Sequence, residues 1–185
     1  PLVSGVPLSN CAGVKVAAHA VGDRAIQACI RAGIDCIEHG FLASDETIQM
    51  MVDHGTFLVS TTYLTDAMAI DRIAPELRKK AHDVFPKAKT MLPKAIAAGV
   101  RIACGTDAPA IPHGQNAKEL CALVDRGMTS MQALRAATIT SAELIDADDE
   151  LGRLAPGYLA DIIAVPGDPS TDISTTLDVR FVMKD

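Results

Sequence analysis

Three times in this chain a helix-like segment runs into a glycine and an apolar run follows at once. The instances are Arg31-Ala32-Gly33 before Ile34-Asp35-Cys36-Ile37, Asp53-His54-Gly55 before Thr56-Phe57-Leu58-Val59, and Ala97-Ala98-Gly99 before Val100-Arg101-Ile102-Ala103. A glycine just past a helix adopts the left-handed backbone that closes the last turn. A short apolar run after such a stop reads as a parallel strand buried on both faces. Helix, glycine and strand in succession therefore predict consecutive βα units and a parallel sheet, an α/β fold. The pattern places strands at about 14–19, 35–39, 57–62 and 101–106. It places helices at about 23–32 with Asp23 as N-cap, and at about 45–54 with Ser44 as N-cap and Asp45-Glu46 at the positive end of the dipole. Helical stretches within about 66–98 are expected to be interrupted or kinked near Pro86 and Pro93. Further helices are expected at about 115–127 and 130–145.

Composition supports that class. The 185 residues are enough for one ordinary domain or a little more. A hydrophobic fraction of 49% without a single Trp means a core of Ala, Val, Ile, Leu and Met, which suits helices on a parallel sheet. The net charge of −6, with no Lys/Arg cluster, leaves no electrostatic footprint for nucleic acid. No apolar stretch reaches the roughly 18 residues of a membrane span. Cys11, Cys29, Cys36, Cys104 and Cys121 form no C-x-x-C pair and sit mostly inside expected elements, which suits reduced thiols and a cytoplasmic setting. The first residue is Pro1, so the natural start, with any signal peptide, is expected upstream.

The character changes after Asp146-Ala147-Asp148-Asp149-Glu150, an acidic junction. The turn-rich Leu151-Gly152-Arg153-Leu154-Ala155-Pro156-Gly157 follows. Asp161–Val165 and Val179–Met183 read as strands joined through a turn at Pro166-Gly167-Asp168-Pro169. Two such strands cannot stand alone as a sheet, so residues 148–185 are expected to be the C-terminal strands of a small composite β domain. Residues 1–147 hold four βα units, half of a (β/α)₈ barrel.

Chemistry gathers at the strand ends. His19 closes Val14-Lys15-Val16-Ala17-Ala18, His39 closes Cys36-Ile37-Glu38, and Asp107 closes Ile102-Ala103-Cys104-Gly105-Thr106. The C-terminal rim of a parallel sheet is where barrel enzymes keep their reactive groups. Neighbouring parallel strands lie about 4.8 Å apart, so two imidazoles there can reach one cation at about 2.1 Å. Each histidine taken singly could equally be a buried, hydrogen-bonded imidazole. The combination points to a divalent metal that acidifies a water and polarises a carbonyl, with Asp107 as proton acceptor. Gly40 and Gly105 leave room for close backbone approach at the rim. No G-x-G-x-x-G or G-x-x-x-x-G-K-[ST] occurs. His113, in Ile111-Pro112-His113-Gly114, and Tyr63, after the third strand, are candidate substrate contacts. His113 reads equally well as a solvated loop residue, and Tyr63 as a half-buried residue at the barrel mouth. His54 fits a helix C-terminus, His82 a solvated charged face, and Glu38 a salt bridge on the strand face opposite His39.

Val16-Ala17-Ala18-His19-Ala20, Cys36-Ile37-Glu38-His39-Gly40 and Gly105-Thr106-Asp107-Ala108-Pro109 resemble strands five, six and eight of the amidohydrolase superfamily. The closer resemblance is to the branch of imidazolonepropionase-related hydrolases, Xaa-Pro dipeptidases and arginine carboxypeptidases. Leu151-Gly152-Arg153-Leu154-Ala155-Pro156-Gly157-Tyr158-Leu159-Ala160-Asp161 resembles the segment entering that family's small β-sandwich. The resemblance implies the second half of a TIM barrel, strands five to eight, plus the C-terminal part of the sandwich. It implies His19 and His39 as metal ligands and Asp107 as ligand and catalytic proton carrier. It also implies two divalent ions, typically zinc, completed by an H-x-H and a carbamylated Lys from strands upstream of this chain.

The implied reaction is hydrolysis of an amide in a dipeptide or N-acyl amino acid by a metal-activated hydroxide. Family deaminases and imidazolonepropionases commonly carry a Glu three residues after the strand-five His; here Gly22 stands there, with Asp23 adjacent. That favours a binuclear peptidase-like site over the alternative of a cyclic-amide hydrolase or deaminase. A different class of expectation is an inactive fragment or assembly module needing the N-terminal half of the barrel. A homo-oligomer is also expected.

Overall fold

The computed structural model describes residues 13–68 and 74–185. Cys11, and the part of the expected helical stretch over 69–73, lie outside them. β1 (Ala17–Ala20), β2 (Cys36–His39), β3 (Phe57–Val59) and β4 (Ile102–Ala103) form a four-stranded parallel sheet in the order β1-β2-β3-β4. The connections hold α1 (Asp23–Arg31), α2 (Asp45–His54), α3 (Leu64–Ala67) and α4 (Pro75–Ala98). After β4 come α5 (Ala117–Asp125), α6 (Ser130–Ala137) and α7 (Ile139–Leu144). Gly33, Gly55 and Gly99 all take positive φ (82°, 67° and 84°), as the three helix stops require.

Register assigns the two faces of the sheet. Ala18, Ile37, Leu58 and Ile102 form one row across it, and this row packs with Ile26, Ile30, Met51 and Leu92 from the helices in the main core. Each fully buried Ile or Leu of that core contributes about 1.5–3 kcal/mol. The next row, on the opposite face, is His19, Glu38, Val59 and Ala103. Here only Cys36, Phe57, Val59 and Ala103 are closely packed, and His19 is exposed. The expectation that every strand is buried on both faces therefore fails at β1.

Other expectations are corrected. Asp23 is the first residue of α1, not its cap: Gly22 takes the N-cap position. Asp23 instead accepts from Ser44 N (2.7 Å) and Thr47 Oγ1 (2.6 Å), tying α1 to the start of α2. Ser44 caps α2 as expected, accepting from Thr47 N. α4 runs unbroken through Pro86 and Pro93. Both prolines face solvent, where water can satisfy the carbonyls they leave free. The buried stripe Ala81, Val84, Ala88, Met91, Leu92 and Ala95 holds the helix to the body. The segment 130–145 breaks at Thr138 (φ −127°, ψ −90°) into α6 and α7.

β5 (Ile162–Ala164) and β6 (Phe181–Met183) pair antiparallel in a separate two-stranded sheet. A 3₁₀ turn at Ile173–Leu177, unforeseen in the sequence, packs against α5. Among the described residues no helix is long and apolar enough to cross a membrane.

Candidate metal and active site

β1 and β2 end side by side, with His19 opposite Glu38 and Ala20 opposite His39. Strict alternation would send His39 to the helix-packed face with Ala20. Instead His39 takes φ 69°, and its ring meets that of His19 edge-on, with centroids 4.7 Å apart and planes at 73°. Gly40 follows at φ 63°, where a Cβ would come 2.7 Å from Leu58 Cδ1, so the turn at this rim needs glycine.

The protonation pattern of His39 follows from its neighbours. His39 Nδ1 lies 2.8 Å from Thr61 Oγ1, and Thr61 donates its own hydroxyl proton to Ser60 O at 2.8 Å. With that single proton committed, Thr61 Oγ1 accepts from His39 Nδ1–H. His39 Nε2 is then the bare nitrogen, the arrangement in which an imidazole serves as a metal ligand. Burial holds the His39 pKa below its ordinary value; the nearby His19 adds to this, and Asp107 opposes it. Burial and His19 thus both favour the neutral imidazole, the form that ligation requires.

Asp107 follows β4 at φ 57° and is exposed on the rim. Gly105 lets the strand end pass close: a Cβ there would lie 2.5 Å from Val59 Cγ1. Glu38 corrects the salt-bridge expectation. Its carboxylate accepts from the Cys36 thiol at 3.3 Å and makes no ion pair among the described residues. Burial raises its pKa; Cys36 opposes the shift, Asp107 adds to it, and His19 opposes it. His19, Glu38, His39 and Asp107 thus share one electrostatic neighbourhood.

Among the described residues no three His, Cys, Asp or Glu side chains stand close enough to hold a metal ion. The convergence is of the two imidazoles, with Asp107 in electrostatic range. Two imidazoles bound to one ion at about 2.1 Å place their ring centres about 5 Å apart. The observed 4.7 Å and the bare His39 Nε2 fit that requirement. Imidazole with carboxylate suits zinc, manganese, iron or cobalt.

His113 is exposed on the loop between β4 and α5. Tyr63, just before α3, donates its hydroxyl to Gln115 Oε1 at 3.1 Å, and Lys118 Nζ donates to the same oxygen at 3.1 Å. Sequence reasoning missed Thr61 and Glu119. Glu119 is 1% exposed, and its two oxygens accept from Thr62 N and Tyr63 N, each at 2.7 Å. Its signal was present: Glu119, Leu120, Ala122 and Leu123 form the buried stripe of α5, so a carboxylate stands where a hydrophobe is expected.

The model of the amidohydrolase family matches residues 8–185. The chain belongs to the amidohydrolase family. Enzymes of this superfamily are generally metal-dependent. This amidohydrolase chain is similar to a crystal structure of a Xaa-Pro dipeptidase with bound methionine in the active site (39% identity, TM-score 0.93, covering 98% of this chain and 46% of that one). It is similar to a prolidase complexed with N-methylphosphonate-L-proline (30% identity, TM-score 0.90, covering 97% and 46%). It is also 34% identical to ochratoxinase of Aspergillus niger over 172 residues, 90% of this chain and 35% of that protein. The chain spans less than half the length of each of these relatives. The superpositions show the same α/β fold with its parallel sheet.

Proposed function

We propose that this chain supplies strands five to eight of a (β/α)₈ barrel, residues 1–147, and the C-terminal strands of a small β-sandwich, residues 148–185. The whole enzyme is then a hydrolase of amide bonds in a dipeptide or N-acyl amino acid. The observation that carries this reading is the His19–His39 pair at adjacent strand ends, with His39 Nδ1 held by Thr61. The likeness to a Xaa-Pro dipeptidase and to a prolidase holding a proline analogue supports the substrate class.

His19 and His39 would hold a divalent cation, zinc by the resemblance, and Asp107, within electrostatic range of His39, would close on it as a third ligand when the ion binds. When bound, such an ion polarises the scissile carbonyl and lowers the pKa of a water to about 7. Asp107, exposed at the rim, accepts the proton of the attacking water and returns it to the leaving amine. His39, neutral and fixed in orientation by Thr61, supplies Nε2 without a competing proton. Tyr63 has committed its hydroxyl proton to Gln115 and so offers a lone pair to a substrate N–H. His113 is proposed as a second substrate contact from the β4–α5 loop. Asp23 is occupied by Ser44 and Thr47, which supports the peptidase-like reading over deamination, where a free carboxylate is needed near Gly22.

The test is hydrolysis of Xaa-Pro dipeptides and N-acyl amino acids by the zinc-loaded full-length protein. Asp107→Asn should lower kcat by about 10²–10⁴-fold with thermal stability retained, because Asn tolerates the left-handed conformation. An unchanged kcat, or no turnover of either substrate class by the wild type, overturns the reading.

A further inference from the structure

Glu119 sits on α5, yet it reaches the turn after β3 that holds His39. Thr62 N and Tyr63 N precede the first turn of α3, where backbone donors have no partner within their own helix. Both amides donate to Glu119, one to each carboxylate oxygen, at 2.7 Å. Thr62 is 3% exposed, so water cannot replace that acceptor. Charge-assisted bonds of this kind are about twice as strong as neutral ones. They fasten the backbone immediately after Thr61, a β-branched residue at φ 46°, where such residues are rarely found. Nothing in the preference of Thr itself would keep it there. In that conformation its Oγ1 meets His39 Nδ1 and its proton meets Ser60 O.

We propose that Glu119 is a positioning residue: by clamping the Thr62 and Tyr63 amides it holds Thr61 in the left-handed turn, and Thr61 in turn fixes His39 with its proton on Nδ1 and leaves Nε2 bare. The path runs from α5 through two backbone amides to one imidazole, and Glu119 touches neither histidine. Its value to catalysis rests on the amide-hydrolase reading, but its effect on His39 does not.

The experiment is ¹⁵N NMR of the histidine rings in the metal-free protein at about pH 8, where histidine is neutral, followed by zinc titration. The wild type should show His39 protonated on Nδ1. Glu119→Gln keeps the shape but turns an NH₂ toward one of the two amides, leaving a buried donor without an acceptor. It should lose the Nδ1–H preference and bind zinc about 10- to 100-fold more weakly, the usual effect of losing an outer partner of a ligating histidine. Arg126→Ala is the control for general loosening, since Arg126 clasps the same short helix through Asp66 (2.8 Å) without touching the Thr62 or Tyr63 amides. It should leave the His39 tautomer unchanged. If Glu119→Gln does not fold, Glu119→Asp, which keeps the charge but is one methylene short, should show the same loss in milder form. A wild-type tautomer in the folded Glu119 variant, or an equal shift in Arg126→Ala, overturns the proposal. A wild type that keeps His39 on Nδ1 yet binds no zinc would overturn the amide-hydrolase reading and leave the positioning role standing.

Discussion

His39, Thr61 and Asp107 each hold a left-handed backbone, at φ 69°, 46° and 57°, and each lies just past or at the end of a strand of the same sheet. Such conformations cost of order 1–3 kcal/mol apiece and persist only where their surroundings enforce them. The identities of His19, His39 and Asp107 were legible, because each closes an apolar run. Their directions were not. Alternation along β2 sends the His39 ring away from His19, and only the turn at Gly40 and the Thr61 contact bring it back. Glu119 was readable as an acid on an apolar stripe, but its purpose depends on a turn 56 residues earlier in the chain. It also gives a pH signature. Burial pushes its pKa from 4.5 up to about 7, against the two amides that favour the charged form. The native chain therefore keeps this proton to higher pH than the unfolded chain does. Its stabilising contribution is whole below about pH 4.5 and is lost as the pH rises through about 7. Urea unfolding across that range should show a falling component for the wild type that is absent in Glu119→Gln.

At the level of elements, the glycine stops marked the ends of α1, α2 and α4 because that signal is local: a left-handed residue closes a helix whatever surrounds it. The prolines of α4 misled because proline preference is also local, while the helix is held by a buried stripe along its other face. Strand length erred the other way. β3 ends at Val59, three residues before the apolar and threonine-rich run ends, because Ser60–Thr62 turn to serve His39 and Glu119. The β3–β4 pair depends on close approach at Gly105, so Gly105→Ala should destabilise the fold by about 1–3 kcal/mol through overpacking on Val59. Adding Val59→Ala should recover part of that loss in a double-mutant cycle measured by denaturant unfolding. Strict additivity would show that the two positions do not meet.

Across the whole molecule, β1 and β4 each have one neighbour in the sheet among the described residues, and His19 stands exposed on the less-covered face. The small sheet leaves Ile163, Phe181 and Val182 more than half exposed. Open strand edges and exposed apolar side chains favour association. The 185-residue chain by itself is therefore expected to show a mass that rises with concentration in light scattering after size exclusion. A monomer at every concentration would show that these edges need no cover.

The alternation of strands and helices in residues 13–125, the parallel sheet and the placing of His19, His39 and Asp107 at or beyond strand ends were readable in the sequence alone, because helix stops and apolar runs act over a few neighbouring residues. The facing of His39, the clamp by Glu119 and the continuity of α4 were decided only in the tertiary structure. Each joins groups distant along the chain, and the energy that holds it, from buried hydrogen bonds and side-chain packing, exists only once those groups have been brought together.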